Sequence, residues 1–279
     1  MGGFVATIGM FDGVHRGHQF VLRHVVDEAQ RRGLHSMAVT FDRQGAPTLT
    51  PLADKLRLMA QCGIERTEVL TFDDALKQLT ARQFMADVLQ ARYGVRVLMI
   101  GYDNRFGHNR AEGFDDYVRY GRELGMDVLQ LPAEGTVCSS MIRQLLTNGD
   151  VAAVAEALGY AYTISGRVAH GEHVGTQMGF PTANLVPDCA TQLLPAPGVY
   201  AVRVGTHGGM MNIGTRPTFD GHQQTLEVNI FDFDDDLYGR EISVSFVQRL
   251  RDEKYFDSPE ALIHQLQIDS QQAKHILSL

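Results

Sequence analysis

Two histidines, His15 and His18, stand where a glycine-containing turn leads into a helix. The turn follows the short apolar stretch Phe4 to Ile8, which has the composition of a buried strand. Side chains three positions apart on a helix share one face, so both imidazoles can face one ligand. Helix-start amides attract anions, and ring N–H groups stabilise negative charge on a departing pyrophosphate. The spacing predicts a nucleotide-phosphate site that needs no nucleophile.

The turn itself supplies further predicted contacts with the nucleotide, at Phe11 and Gly13. Glycine lets the backbone turn sharply and approach a ligand closely. Two other interpretations stay open: the histidines are metal ligands, or they are polar residues at a helix start. A zinc site needs more ligands, and the chain has neither a His-Glu-x-x-His run nor a Cys-x-x-Cys pair. The motif Gly9 to His18 resembles the nucleotidyltransferases that join AMP to a small phosphorylated acceptor.

Composition limits the partners and the location of the protein. A chain of 279 residues with 44% hydrophobic residues can bury two cores, so two domains are expected. A formal net charge of -8 argues against a nucleic-acid groove, which needs clustered Lys and Arg. The three cysteines are widely spaced, and no apolar run is long enough to span a bilayer. We therefore expect a cytoplasmic protein with small-molecule substrates, no membrane partner and no nucleic acid; the oligomeric state is not predicted.

Strands and helices alternate up to about residue 160, which predicts a parallel sheet with helices on its faces. We expect an α/β, Rossmann-like domain over residues 1–160, with ligands bound beyond the carboxyl ends of the strands, where Gly9 to His18 and Gly101 to Arg110 fall. The predicted strands are Phe4–Ile8, Ser36–Phe41, Arg66–Leu70, Val95–Ile100 and Asp127–Leu131. The predicted helices are Arg16–Arg32, Ala53–Gln61, Thr80–Arg92 and Phe114–Leu124.

From about residue 163 the pattern changes to short strands separated by Gly, Pro and Asp, typical of an antiparallel β-barrel or sandwich. Residues 161–279 are expected to form this second domain. It should end in a helix with Ser258 as its N-cap and Pro259 at its first position. The candidate strands are Thr163–Val168, Val199–Val204, Met210–Ile213, Thr225–Phe231 and Glu241–Val247.

A second motif lies in the barrel half. A glycine-spaced segment, Gly166 to Gly171, precedes Gly179-Phe180-Pro181-Thr182-Ala183-Asn184. The Thr182 hydroxyl and the Asn184 amide oxygen are hard donors suited to Mg²⁺ that bridges phosphates. A Pro-Thr turn in which Asn184 caps its own loop is the alternative. Together with the N-terminal motif, this segment resembles the bacterial bifunctional riboflavin kinase and FAD synthetase, over essentially the whole chain.

The resemblance implies one reaction for each half. Riboflavin is phosphorylated to FMN in a riboflavin kinase-like barrel, and AMP is transferred from ATP to FMN to give FAD in the Rossmann-like domain, both with Mg²⁺. Thr182 and Asn184 are then metal ligands, and Glu227 orients the flavin hydroxyl. Without the family, Glu227 has the pattern of an exposed strand residue, and Ser139 and Ser140 that of helix N-caps. The implied catalytic residues are Glu227, His15 and His18. The implied nucleotide and flavin contacts are Phe11, Gly13, Asp103, Ser139, Ser140, Arg143, Gly166, Gly171, Gly179, Pro181, Thr182, Asn184 and Arg251.

Several residues depart from the family pattern. The adenylylation half has Met141 in place of Thr, Asn104 in place of an aromatic residue, and Arg43 to Pro47 in place of a His-Pro pair. The barrel half has Gly175-Thr176 in place of Gly and a basic residue. The change at Arg43 to Pro47 bears on FMN recognition, or on the rate of FAD formation, more than on ATP binding. Three functions therefore stay open: the bifunctional enzyme, a riboflavin kinase with an impaired adenylyltransferase, and a flavin- or nucleotide-binding regulatory module, which the presence of Glu227 disfavours.

Overall fold

The computed structural model describes residues 2–43, 45–102, 104–132, 135, 137–170, 178–218 and 221–279. The chain divides into two units, Met1–Cys138 and Ser139–Leu279. The helices α6 (Ser139–Asn148) and α7 (Val151–Leu158) group with the second unit. The domain boundary at residue 160 stays a prediction. Among the described residues, none of the helices combines the length and apolar character needed to cross a membrane.

Five parallel strands form the sheet of the first unit, in the order β3-β2-β1-β4-β5. This is the predicted Rossmann-like arrangement, and chain order reverses between β1 and β4, where such sheets bind ligands at the carboxyl ends of their strands. Most of the central strands are buried, as expected for a sheet covered on both faces. The strands are β1 (Phe4–Ile8), β2 (His35–Asp42), β3 (Arg66–Thr71), β4 (Val95–Ile100) and β5 (Asp127–Gln130).

Helices cover the two faces of this sheet. On one face, α1 (Arg16–Arg32) and α2 (Leu52–Gln61) pack on alternate strand residues such as Val5 and Val97. The other face, with Ala6 and Leu98, is covered by a π-helix and by α5. The elements on this side are α3 (Asp74–Gln78), α4 (Ala81–Gln83), the π-helix Phe84–Arg92, a 3₁₀ turn at His108–Arg110 and α5 (Phe114–Leu124).

The predicted helix Thr80–Arg92 is therefore present, but most of it has π-helical hydrogen bonding. Its buried residues include Phe84 and Leu89, which are five positions apart. An i to i+5 repeat places both side chains on the same face, toward the sheet. Periodicity alone does not separate this pattern from an ordinary amphipathic helix.

The second unit contains a closed antiparallel barrel with the strand order β10-β7-β6-β11-β8-β9. The alternative of an open sandwich is thereby wrong. One strand, β7, was not predicted, because it lies in a motif whose Pro and polar residues indicate a turn. The strands are β6 (Thr163–Ala169), β7 (Ala183–Pro187), β8 (Gly198–Val204), β9 (His207–Thr218), β10 (Gly221–Ile230) and β11 (Glu241–Arg251).

The C-terminal helix α8 (Pro259–Leu277) begins as predicted, because the Ser258 hydroxyl accepts a hydrogen bond from Ala261 N at 3.2 Å. Its buried Ala273 and Leu277 pack on residues of β8 and β9, among them Ala201 and Met210. The helix thus covers one side of the barrel.

Candidate functional site

The turn between β1 and α1 is held in an unusual backbone conformation. Gly13 has a φ of 86°, and Phe11 and Val14 have φ values of 48° and 34°. A positive φ is disfavoured for residues with a side chain, most of all for a β-branched one, so packing must hold this turn. Phe11 and Val14 are both buried. The turn therefore has one fixed shape, which sets where α1 begins.

His15 and His18 lie face to face at the start of α1. Their rings stack with 3.6 Å between centroids and 21° between planes. Nδ1 of His15 accepts a hydrogen bond from the backbone N–H of His18 at 3.4 Å, so the ring proton of neutral His15 belongs on Nε2. Phe11 packs on His18 in a T-shaped arrangement with 5.3 Å between centroids. The structure thus brings together three residues that the sequence predicted to share one ligand.

His18 is held in its neutral form. Burial lowers the pKa of its imidazole well below the ordinary value, and the charges of His15 and Lys55 lower that pKa further. Its Nδ1 is buried and has no hydrogen-bond partner within the described part of the chain. A buried polar atom without a partner is uncommon in folded proteins. The ring therefore has a polar atom left for a ligand.

Lys55 is a site residue that the sequence analysis missed. It is 6% exposed, and its Nζ donates to the carbonyl oxygens of Phe41 at 3.0 Å and Met10 at 3.3 Å. Burial lowers the pKa of its ammonium group, while the carboxylates of Asp12 and Asp42 act in the opposite direction. The sequence contained only a weak signal for the position of Lys55, which lies four residues before the buried Met59 of α2. Its position places an amino group beneath the turn between β1 and α1.

Asp12 anchors the segment that follows β2. Its carboxylate accepts hydrogen bonds from Thr48 Oγ1 at 2.8 Å and from Leu49 N at 2.9 Å. These contacts hold the chain just after Arg43 to Pro47, where the related family has a His-Pro pair. Gln44 of that loop lies outside the described residues. The Asp12 carboxylate therefore connects the turn between β1 and α1 to the segment just after Arg43 to Pro47, where the sequence differs from the family pattern.

A cavity of about 450 Å³ opens at the carboxyl ends of β1 and β2. Two aromatic rings in its wall, Phe41 and Phe72, are 5.5 Å apart between centroids at an angle of 76°. The second predicted segment, Gly101 to Arg110, supplies another wall, although Asp103 itself lies outside the described residues. The cavity suits a flat aromatic ligand, and its lining includes Gly9 and Met10 of the turn that leads to the histidine pair. Its lining consists of Ile8, Gly9, Met10, Phe41, Phe72, Leu76, Lys77, Gln78, Leu79, Phe84 and residues 104–110.

Glu227 lies in the barrel with amide side chains on both neighbouring strands. It is paired with Asn184 of β7 on one side and with Asn212 of β9 on the other. Directly opposed residues on antiparallel strands have Cβ atoms about 4.5–5.5 Å apart, on the same face. Glu227 and Asn212 line a cavity of about 290 Å³. The carboxylate is thus not the isolated exposed strand residue that its pattern alone suggests.

Thr182 lines two cavities of the barrel. One is the cavity of about 290 Å³ that contains Glu227, and the other, of about 150 Å³, is lined also by Val168 and Tyr238. Asn229, two positions after Glu227 and 7% exposed, donates to the carbonyl oxygen of Pro181 at 2.7 Å. This bond fixes the turn that carries Thr182. Strand alternation could have identified Asn229, since residues two apart share a face.

Comparison with known proteins assigns both halves of the chain. Family models match for FAD synthetase over residues 2–141 and for riboflavin kinase over residues 158–277. A bifunctional riboflavin kinase/FMN adenylyltransferase from Escherichia coli (strain K12) is 40% identical, covering 99% of this chain and 94% of that protein. The chain belongs to this family. The protein of the same name from Listeria monocytogenes is 35% identical, covering 97% and 91%. A crystal structure described as a macrolide-efflux protein from Streptococcus pneumoniae has a TM-score of 0.89 at 31% identity, covering 98% and 94%.

In the FAD synthetase half, the structure does not test three of the predicted nucleotide contacts. Ser139, Ser140 and Arg143 lie in the first turns of α6, which is grouped with the second unit. The two serines stand at the helix start. This position agrees with both interpretations, helix N-caps and contacts with a nucleotide. Their contact with a nucleotide stays a prediction.

In the riboflavin kinase half, two predicted glycines have local structural reasons. A Cβ on Gly166 would lie 2.2 Å from the carbonyl oxygen of Val186, so β6 and β7 approach too closely for any side chain. Gly179 has a φ of 79° in the turn before Pro181. Gly171 lies outside the described residues, and so does the pair Gly175-Thr176, which differs from the family pattern.

Arg251 of the kinase half lies at the larger barrel cavity but is already paired. Its Nε and Nη2 bond the Asp269 carboxylate at 2.8 to 3.0 Å, and its Nη1 donates to the carbonyl oxygen of Asp252 at 3.0 Å. Asp269, on α8, is 1% exposed. The guanidinium therefore links the last barrel strand to the C-terminal helix, and its predicted contact with flavin or phosphate is untested.

Proposed function

We propose that this chain makes FMN from riboflavin and then FAD from FMN, using ATP in both steps. The observation that carries the proposal is that each unit has its own candidate reactive group and its own cavity: the stacked rings of His15 and His18 in one, and Glu227 with Thr182 in the other. Membership in the bifunctional family supports both activities. The presence of Glu227 in a cavity favours catalysis over a purely regulatory binding module.

In the barrel, the terminal ribityl hydroxyl of riboflavin attacks the γ-phosphorus of ATP, and ADP leaves. We assign Glu227 to orient this hydroxyl and accept its proton. Thr182 lies between the two cavities, which supports one cavity for the flavin and the other for the nucleotide, with transfer occurring at their junction. The hydrogen bond from Asn229 to Pro181 keeps that junction in place.

We further propose Mg²⁺ as the cofactor of this step. The oxygen donors of Thr182 and Asn184 suit a hard cation, and Glu227 is directly opposite Asn184 in the strand register. When bound, Mg²⁺ neutralises charge on the transferring phosphates. Two protein oxygens leave the remaining positions of such a cation to phosphate and water oxygens.

In the Rossmann-like unit, a phosphate oxygen of FMN attacks the α-phosphorus of ATP, and pyrophosphate leaves. We assign His15 and His18 to donate ring N–H groups to the phosphates as charge develops on the leaving group. The N-cap bond at Nδ1 puts the proton of a neutral His15 ring on Nε2, and we assign that N–H to a phosphate oxygen. The aromatic side chains in the wall of the cavity of about 450 Å³ support the flavin ring as the ligand of that cavity.

The test is to incubate the full chain with riboflavin, ATP and Mg²⁺ and to separate FMN and FAD by chromatography. We expect both products, and neither without Mg²⁺. FMN without FAD would instead support the second candidate, a kinase with an impaired adenylyltransferase, which the departures at Asn104, Met141 and Arg43 to Pro47 favour. We also propose a cytoplasmic location, supported by the three described cysteines Cys62, Cys138 and Cys189, which form no disulfide with one another.

A further inference from the structure

The cavity lined by Gly9 and Met10, which begin the turn leading to the histidine pair, is called here the sheet-edge cavity. It is defined by the lining given above and has mostly carbon walls. The lining contains three charged side chains, and all three are basic. They are Lys77, Arg105 and Arg110, and each is exposed. No Asp or Glu occurs among the described lining residues. A flat apolar ring with an anionic tail matches this distribution. The polar edge of such a ring then needs a partner inside the cavity, because an unpaired buried donor costs free energy.

Asn104 is the side chain suited to that role. Three amide side chains line the sheet-edge cavity, and two of them, Gln78 and Asn109, are exposed. Asn104 is half-buried and held in place, because its Nδ2 donates to the carbonyl oxygen of Ile8 at the end of β1. A backbone bond from Asn104 N to Gly101 O at 3.1 Å fixes the turn that carries it.

The bond to Ile8 also decides which way the amide is turned. A carbonyl oxygen only accepts, so the amide nitrogen of Asn104 must face Ile8 and the oxygen must face away from it. Within the described part of the chain, Oδ1 of Asn104 has no hydrogen-bond partner. The side chain therefore offers the cavity one fixed acceptor.

We propose that Oδ1 of Asn104 accepts a hydrogen bond from the imide N–H of the flavin ring and is a specificity-determining residue for adenylyl transfer. This inference rests on the proposed function, since it takes FMN as the ligand. The dione edge of a flavin carries a single N–H between two carbonyl groups, so an acceptor is the complementary protein group. The aromatic residue that the related family has at this position provides no such acceptor, so the contact is particular to this chain.

The test compares FMN with 3-methyl-FMN, in which a methyl group replaces the imide hydrogen. The full chain, ATP and Mg²⁺ are used, and kcat/KM for FAD formation is measured for each flavin. We expect kcat/KM to be about tenfold lower for 3-methyl-FMN, the usual effect of losing one neutral hydrogen bond. Asn104→Leu should lower kcat/KM for FMN by a similar factor and accept both flavins equally. Gln78→Leu, which removes an exposed amide of the same cavity, should keep the tenfold ratio.

Equal kcat/KM for the two flavins in the unmodified chain would overturn the assignment, and this comparison needs no variant. A full tenfold ratio in Asn104→Leu would also overturn it, because steric exclusion of the methyl group would then explain the preference. Failure of the unmodified chain to convert FMN at all would contradict the proposed function itself, a result distinct from equal use of both flavins.

Discussion

His18 illustrates how surroundings select the chemical form of a side chain. Burial, the neighbouring His15 and the ammonium of Lys55 all lower its pKa, so the ring stays neutral where an exposed histidine would begin to gain a proton. A neutral ring can stack on a second imidazole without charge repulsion, as the 3.6 Å centroid distance requires. The neutral His18 ring carries one N–H, which can donate a hydrogen bond to a phosphate oxygen.

The lowered pKa of His18 predicts a loss of stability in mild acid. The unfolded chain binds a proton at this residue near pH 6.5, whereas the folded chain does so only well below that value. Stability is therefore fully present above about pH 6.5 and falls as the pH decreases, by at most about 1.4 kcal/mol per pH unit. Urea unfolding of the first unit between pH 7 and pH 5 measures this slope. His18→Gln should show a shallower slope, and an unchanged slope would contradict the assignment.

Glu227 carries the second residue-scale prediction. Glu227→Gln keeps the shape of the side chain but removes its ability to accept a proton, so FMN formation should fall by about 10²- to 10⁴-fold. Conversion of supplied FMN to FAD should change little, since that chemistry is assigned to the other unit. Chromatography of both reactions measures the effect. The matched control is Glu241→Gln on β11, an exposed glutamate of the same barrel, which should keep both activities. Comparable losses in the two glutamate variants would exclude a specific role for Glu227.

At the residue scale, the sequence predicted a contact within a local motif but not the contacts between distant segments. The contact between His15 and His18 follows from their helical spacing. Lys55 acquires its role only when α2 places it under Met10 and Phe41, which are 45 and 14 positions away. Arg251 likewise meets Asp269 only because α8 packs against the barrel, 18 positions later.

At the scale of elements, boundaries were predicted well where a strong terminator follows a periodic segment. Helix α1 ends at Gly33 and α5 at Gly125, both left-handed C-caps. Strand β7 was missed because Pro181 and its polar neighbours indicate a turn, whereas pairing with β6 and β10 makes the following residues a strand. Sequence periodicity reports which face is buried; it does not report the partner that completes a barrel.

Lys55 gives the element-scale prediction, since it connects α2 to the ends of β1 and β2. Lys55→Met keeps the length of the side chain and removes the donor shared by the Met10 and Phe41 carbonyls. We expect a loss of about 1–3 kcal/mol in the free energy of unfolding of the first unit, together with slower FAD formation. Urea denaturation and FAD assays measure the two effects. On the same helix, exposed Arg57→Met should change stability by less than about 0.5 kcal/mol. Equal changes in the two variants would show that the buried contacts contribute nothing.

At the scale of the whole molecule, the cavities assigned to the two reactions lie in different units. Every lining residue of the sheet-edge cavity belongs to the first unit, and every lining residue of the two barrel cavities belongs to the second. The chemistry differs as well, since one site is assigned a carboxylate base and the other neutral N–H donors. FMN made in the barrel must leave its cavity before it can be adenylylated.

This separation predicts that two chains, each defective in one of the two reactions, together convert riboflavin to FAD when they are mixed. Glu227→Gln alone should make FAD from riboflavin only at its greatly reduced rate of FMN formation, and a chain with His15→Ala and His18→Ala should stop at FMN. In the mixture, FMN released by the histidine variant reaches the intact adenylylation site of the other chain, so FAD should appear after a lag. Time-resolved chromatography, with each variant alone as the control, measures this recovery. If the mixture stopped at FMN while Glu227→Gln still converted supplied FMN, the intermediate would have to pass between sites without release.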